Sequence, residues 1–126
     1  MSKILNLTVD MMVYESASAT NDPADADKIK MTVTEAAITQ FTRPRIQIAN
    51  ATVDQAIVLP ANTVTYLMVF VDQIVTMKIN GDAGKILRPT AAGKKTPVLL
   101  MRGDITSLTV SNSSGSVAEL DIIAAK

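Results

Sequence analysis

From Lys3 to Val13 apolar and polar residues alternate: Leu5, Leu7, Val9, Met11 and Val13 fall on one side, Asn6, Thr8 and Asp10 on the other. Successive side chains of a strand point to opposite faces, so this period of two predicts a strand with one wet face. Ile29, Met31 and Val33 alternate with Lys30, Thr32 and Thr34 in the same way, with room for one helical turn at Glu35 to Ile38. Between these segments, Ser16 to Asp27 is small, polar and broken by Pro23. It predicts a loop over 16–28, long for a compact domain and a candidate for contact with a partner. Ile46 and Ile48 mark a short strand; after a polar break, Ala56 to Leu59 marks another, closed by Pro60.

Tyr66 to Val71 is continuously apolar, as expected of a strand covered on both faces, whereas Val75, Met77 and Ile79 alternate with Thr76 and Lys78. Asn80-Gly81 supplies the positive backbone angles of a hairpin turn into "KILRP", so Tyr66 to Pro89 is read as the centre of the sheet. "TPVLLM" and "ITSLTVSN" read as strands joined by a tight turn at Arg102-Gly103-Asp104. In the last strand Ala118, Leu120 and Ile122 point inward and Glu119 and Asp121 outward. About eight short strands with turn signals between them predict an all-β fold, an antiparallel β-sandwich of jelly-roll type. Without repeat, charge block or linker, residues 1–126 are expected to form a single domain.

Composition sharpens this picture. Val, Ile and Thr supply 38 of the 126 residues, which suits a pleated surface, while aromatics are only 3%, so aliphatic and methionine side chains must fill the core. Twelve basic residues balance twelve acidic ones. That leaves no basic field of the kind nucleic-acid binding relies on. No apolar run approaches the ~20 residues of a membrane helix, and Met1 to Asp10 lacks the regions of a signal peptide, so a soluble chain made in a cytosol is expected.

The available chemistry is narrow. Histidine and cysteine are absent, which excludes Ser-His and Cys-His nucleophile systems and zinc sites built on nitrogen and sulfur ligands. Asp22, Asp25 and Asp27 in the long loop could offer oxygen to a hard cation, but their spacing does not match a calcium loop and Lys28 follows directly. They read as a solvated acidic loop and as interface candidates; no cofactor and no metal is expected. "GKKT" at Gly93 to Thr96 lacks the first glycine and the final hydroxyl of a phosphate-binding loop and reads as an ordinary loop. Arg102-Gly103-Asp104 matches an adhesive tripeptide, against which stands its service as a turn. Asn6, Asn50 and Asn112 open glycosylation triplets without a secretion signal to use them.

Two further places are candidates for contact. Arg43 and Arg45 flank Pro44 and could pair with acidic groups or phosphate on a partner, or simply protect a strand edge. Met12 and Tyr14 lie on the face opposite the core set, to be covered by a second sheet or by a neighbouring subunit.

"YLMVFVDQIVTMKING" followed by "TPVLLMRGDITSLTVSNSSGSVAELDII" resembles small β-sandwich virion proteins of tailed bacteriophages, in which a strand ending in an Asn-Gly turn precedes a leucine-rich strand, "RG" and a Thr- and Ser-studded final hairpin. The resemblance covers Tyr66 to Lys126. It implies a decoration or cement protein that sits on the capsid lattice, commonly as a trimer, and braces neighbouring copies of the major capsid protein, in a virion assembled in the host cytoplasm. A tail, neck or receptor-binding component would share the sandwich, although few aromatics argue against sugar stacking. A hydrolase working with paired carboxylates is the enzyme alternative.

Overall fold

The computed structural model describes residues 3–12 and 28–126, and among them the chain is all-β, with antiparallel strand pairs and no helix. Two compact units are formed, Met1–Ile38 and Thr39–Lys126.

The first unit pairs β1 (Lys3–Met12) with β2 (Lys28–Ile38). Leu7 lies opposite Val33, Val9 opposite Met31 and Met11 opposite Ile29, whereas Thr8 faces Thr32 and Asp10 faces Lys30. Directly opposed residues share a face, so the register gathers the apolar positions on one side. The helical turn expected at Glu35 to Ile38 does not form. Glu35 pairs with Leu5 and Ile38 with Lys3, across a bulge between Lys3 and Leu5, and the ladder overrides the helical preference of the alanine pair.

The second unit contains β3 (Phe41–Thr42), β4 (Arg45–Ile48), β5 (Thr52–Ala56), β6 (Val64–Val71), β7 (Val75–Ile79), β8 (Lys85–Leu87), β9 (Thr96–Ile105), β10 (Leu108–Asn112) and β11 (Ala118–Ala125). Eleven strands thus lie among the described residues, against about eight expected, and the two-residue β3 is one that no alternation marked. One sheet has the order β3-β11-β6-β9, with β4 also paired to β11; the other has the order β5-β10-β7-β8. From β4 onward every connection except β7 to β8 passes from one sheet to the other. The stretch from Tyr66 to Pro89 is therefore not the centre of a single sheet: β6 is interior to one and β7 to the other.

One cluster fills the core and draws on both sheets. Leu67, Val69 and Val71 of β6 and Ala118, Leu120 and Ile122 of β11 join Val75, Met77 and Ile79 of β7 and Leu108 and Val110 of β10. These are the inward positions that the alternation marked in β7 and β11. Burying each such side chain contributes about 1.5–3 kcal/mol.

Two expectations fail for identifiable reasons. The strand expected at Ala56 to Leu59 lies earlier, at Thr52–Ala56, because β5 is an edge strand whose residues are largely exposed and need no apolar alternation. Ile57 is buried in the core, but Val58 is 86% exposed. Nor is Arg102-Gly103-Asp104 a turn: β9 continues through it with a bulge, Gly103 and Asp104 standing against Thr65 between the pairs Tyr66–Arg102 and Val64–Ile105. Gly103 is not among the residues with positive φ. The chain reverses at Thr106 and Ser107, whose amides both donate to Asn80 Oδ1.

Candidate functional site

The inward positions of the five-stranded sheet fix which residues point the other way. On β6 these are Tyr66, Met68 and Phe70; on β11 they are Glu119, Asp121, Ile123 and Ala125. Register lines them up in rows across the sheet. Phe41, Ala125, Tyr66 and Arg102 form the first row, and Ile123, Met68 and Leu100 the second. Arg45, Asp121, Phe70 and Pro97 form the third. Three of the chain's four aromatic residues thus lie on one outer sheet face, beside a methionine, a leucine and an isoleucine. Leu100 is 47% exposed and Phe41 43%, while Met68, Phe70 and Ile123 are half-buried.

The other sheet differs. Its outward positions are Thr76 and Lys78 on β7 and Thr109 and Ser111 on β10. Lys78 is ion-paired with Asp54 at 3.2 Å, and the Asp54 amide donates to Ser111 Oγ. Val53 on β5 and Ile86 on β8, both on the edge strands of this sheet, are the large apolar exceptions. The central strands thus differ in their outward residues, Thr, Ser and Lys on β7 and β10 against Tyr66, Met68, Phe70 and Ile123 on β6 and β11.

Charges border the apolar face at both ends. Arg102 lies over the Tyr66 ring, 5.6 Å from its centroid, and its Nε donates to the tyrosine hydroxyl at 3.1 Å. At the other end Lys95 Nζ donates to Glu119 at 2.6 Å and lies 3.4 Å from Asp121 Oδ2, while Arg45 Nε lies 3.3 Å from Asp121 Oδ1. The hydrogen bond to Glu119 holds the Lys95 ammonium above its ordinary pKa, against a smaller opposing effect of desolvation, with Asp121 adding attraction. Asp121 is buried, and its Oδ1 has an ionic contact without the alignment of a hydrogen bond. Two cations compensate this carboxylate; removing either leaves it less well paired.

The residues singled out from sequence fall differently. Tyr14, Asp22, Asp25 and Asp27 lie outside the described residues; Met12 ends β1, opposite Lys28. Arg43 is exposed between β3 and β4, where Pro44 breaks the two strands while its carbonyl accepts from the Ile122 amide. Arg45 joins the border of the apolar face through Asp121, with its side chain 70% exposed. Phe41, Met68, Phe70, Leu100 and Ile123 were not singled out. The available signal was the unbroken apolar run of β6, which demands cover on its second face. Asn112, the start of a glycosylation triplet, is fully buried and its side chain is engaged with Ile48, Ser114 and Ser116.

Among the described residues no cluster of three or more His, Cys, Asp or Glu side chains is arranged to hold a metal, and no helix is long and apolar enough to cross a membrane. No family model matches the chain, and no curated protein or solved structure is significantly similar to it.

Proposed function

We propose that this is a structural protein of a tailed-bacteriophage virion that decorates or cements the capsid by binding the major capsid protein, and that it acts as a homo-oligomer, a trimer by preference. Residues 39–126 are read as a jelly-roll β-sandwich. The strand orders β4-β11-β6-β9 and β5-β10-β7-β8, with connections that alternate between sheets, support that architecture. The virion setting rests on the resemblance of Tyr66 to Lys126.

The observation that carries the contact reading is the asymmetry of the two outer faces: aromatic and aliphatic on the β11–β6 side, Thr, Ser and Lys on the β10–β7 side. Affinity in such a role comes from area and shape complementarity. Burial contributes about 25 cal/mol per Å² before association costs are subtracted, and no proton-transfer group is needed.

Light scattering of the purified protein and co-sedimentation with purified capsids test the proposal. Oligomers that pellet with capsids are expected; a monomer that stays in the supernatant sinks it. A tail, neck or receptor-binding role is the second reading, separated from the first by the position of the protein in an electron-microscopy map of the particle.

A further inference from the structure

A cleft of about 290 Å³ opens between three loops and is lined by Gln73, Ile74, Arg88, Pro89, Ala92 and Ser114. Gln73 and Ile74 come from the β6–β7 connection, Arg88 to Ala92 from the β8–β9 connection and Ser114 from the β10–β11 connection. Backbone and side-chain bonds brace these loops. The Gly93 amide donates to Asp72 O at 2.7 Å, and the Glu119 amide to Asp72 Oδ1 at 2.7 Å. Asn112 Oδ1 accepts the Ser114 amide, and Asn50 Oδ1 accepts the Gly115 amide at 2.9 Å. The cleft walls are thus positioned before any ligand arrives, which lowers the cost of binding.

The polar groups define the ligand. Arg88 is exposed and pairs with no carboxylate among the described residues, in contrast to Arg45, Lys78, Lys85 and Lys95. Its planar fork suits bidentate recognition of a carboxylate. The Gln73 amide adds both a donor and an acceptor. The Ser114 hydroxyl donates to Ser116 O and accepts the Ser116 amide, so its remaining lone pair can take a further N–H. Ile74, Pro89 and Ala92 supply an apolar wall for a short methylene stem. The volume lies at the lower end of the usual ligand range of about 300–1,000 Å³, enough for one or two side chains.

The geometry points to this cleft as a docking site for an acidic peptide segment, with a carboxylate on Arg88 and a peptide N–H on Ser114. The inference rests on the reading of the molecule as a protein-contact protein and supplies a second, polar point of attachment beside the apolar sheet face. A lone guanidinium with amide and hydroxyl partners matches a monoanion and peptide better than a phosphate dianion.

The test is a titration of the full-length ¹⁵N-labelled protein with N-acetyl-Glu-Ala amide, glutarate, N-acetyl-Gln-Ala amide and inorganic phosphate, followed by amide shifts. The glutamyl peptide is expected to move Gln73, Ile74, Ala92 and Ser114 with an affinity of about 1 mM. Glutarate should act more weakly at the same residues, the glutaminyl peptide and phosphate should leave them in place, and Arg88→Ala should weaken the peptide by about tenfold or more. No response to the glutamyl peptide, a response undiminished in Arg88→Ala, an equal or stronger response to glutarate, or an equal response to the glutaminyl peptide or phosphate overturns the inference. Capsid binding that persists without the peptide response removes the cleft alone; peptide binding without capsid binding removes the proposed function alone.

Discussion

Asn112 is the residue on which the loop end turns. Its side-chain amide donates to Ile48 O at 2.9 Å and to Ser116 O at 2.8 Å, and its oxygen accepts the Ser114 amide at 3.0 Å. Asn112→Ala removes the donor to the buried Ile48 carbonyl and the acceptor of the Ser114 amide, while Ser116 O keeps the Ser114 hydroxyl. An unsatisfied buried group costs about 1–3 kcal/mol, so an unfolding free energy from urea titration lowered by about 1–3 kcal/mol is expected, and a change within about 0.5 kcal/mol contradicts the account. Glycines give a paired test. Gly84 has φ +96°, and an added Cβ would lie 2.9 Å from Thr76 Cγ2, whereas at Gly103 it would meet only Met101 Cε at 3.6 Å, with no positive φ. Gly84→Ala is therefore expected to destabilise by more than about 1 kcal/mol and Gly103→Ala by less than about 0.5; equal melting temperatures for the two variants would refute the distinction. The Asn80-Gly81 turn was legible because local backbone angles require those residues, φ being +54° and +72°. The role of Asn112 was not, since its partner Ile48 is 64 residues away and no local pattern announces it.

At the level of elements, the β7–β8 hairpin is closed by a side chain. Asp82 Oδ1 accepts the Ile79 amide at 3.1 Å and the Gly84 amide at 2.9 Å, and Lys85 donates to the other oxygen. The bond from Lys85, then those from the Gly84 and Ile79 amides, holds the carboxyl below its ordinary pKa. A folded value below the unfolded one gives stability that is fully present above the ordinary carboxylate value of about 3.9 and is lost as pH falls through the folded value. Wild type should therefore exceed Asp82→Asn in urea midpoint at neutral pH, and the gap should close below pH ~3.9; a gap unchanged down to pH ~2 would remove this carboxylate as its source. Elements were readable where apolar and polar residues alternate: β1, β7 and β11 lie where their alternation predicts, and in β7 and β11 it marks the face turned to the core. Edge strands escaped. β5 is polar because its exposure leaves nothing to bury, and β9 crosses a tripeptide whose glycine resembles a turn but takes no turn conformation.

For the molecule as a whole, the composition of the outer faces supports the proposed association. The inner faces of the two sheets supply a shared core, so only the outer faces and strand edges of residues 39–126 remain for partners. A Thr- and Ser-rich face loses hydrogen bonds to water when covered, whereas covering Leu100, Met68, Phe70 and Ile123 removes apolar surface from water. Leu100 stands at the outward position of the end strand β9, 47% exposed, so Leu100→Glu should leave the melting temperature within a few degrees of wild type. On the proposed surface the glutamate must be desolvated when the face is covered, which weakens association by about tenfold or more in a scattering or co-sedimentation titration. Thr109→Glu places the same charge on the opposite outer face and should leave association unchanged, because that face stays wet. Equal losses in the two variants would mean that net charge drives association, and a loss confined to Thr109→Glu would move the contact to the other sheet. The sequence contained the ingredients of this face in the unbroken run of β6, but only the register that sets Phe41 beside Ala125 and Leu100 beside Met68 assembles residues from four strands into one surface.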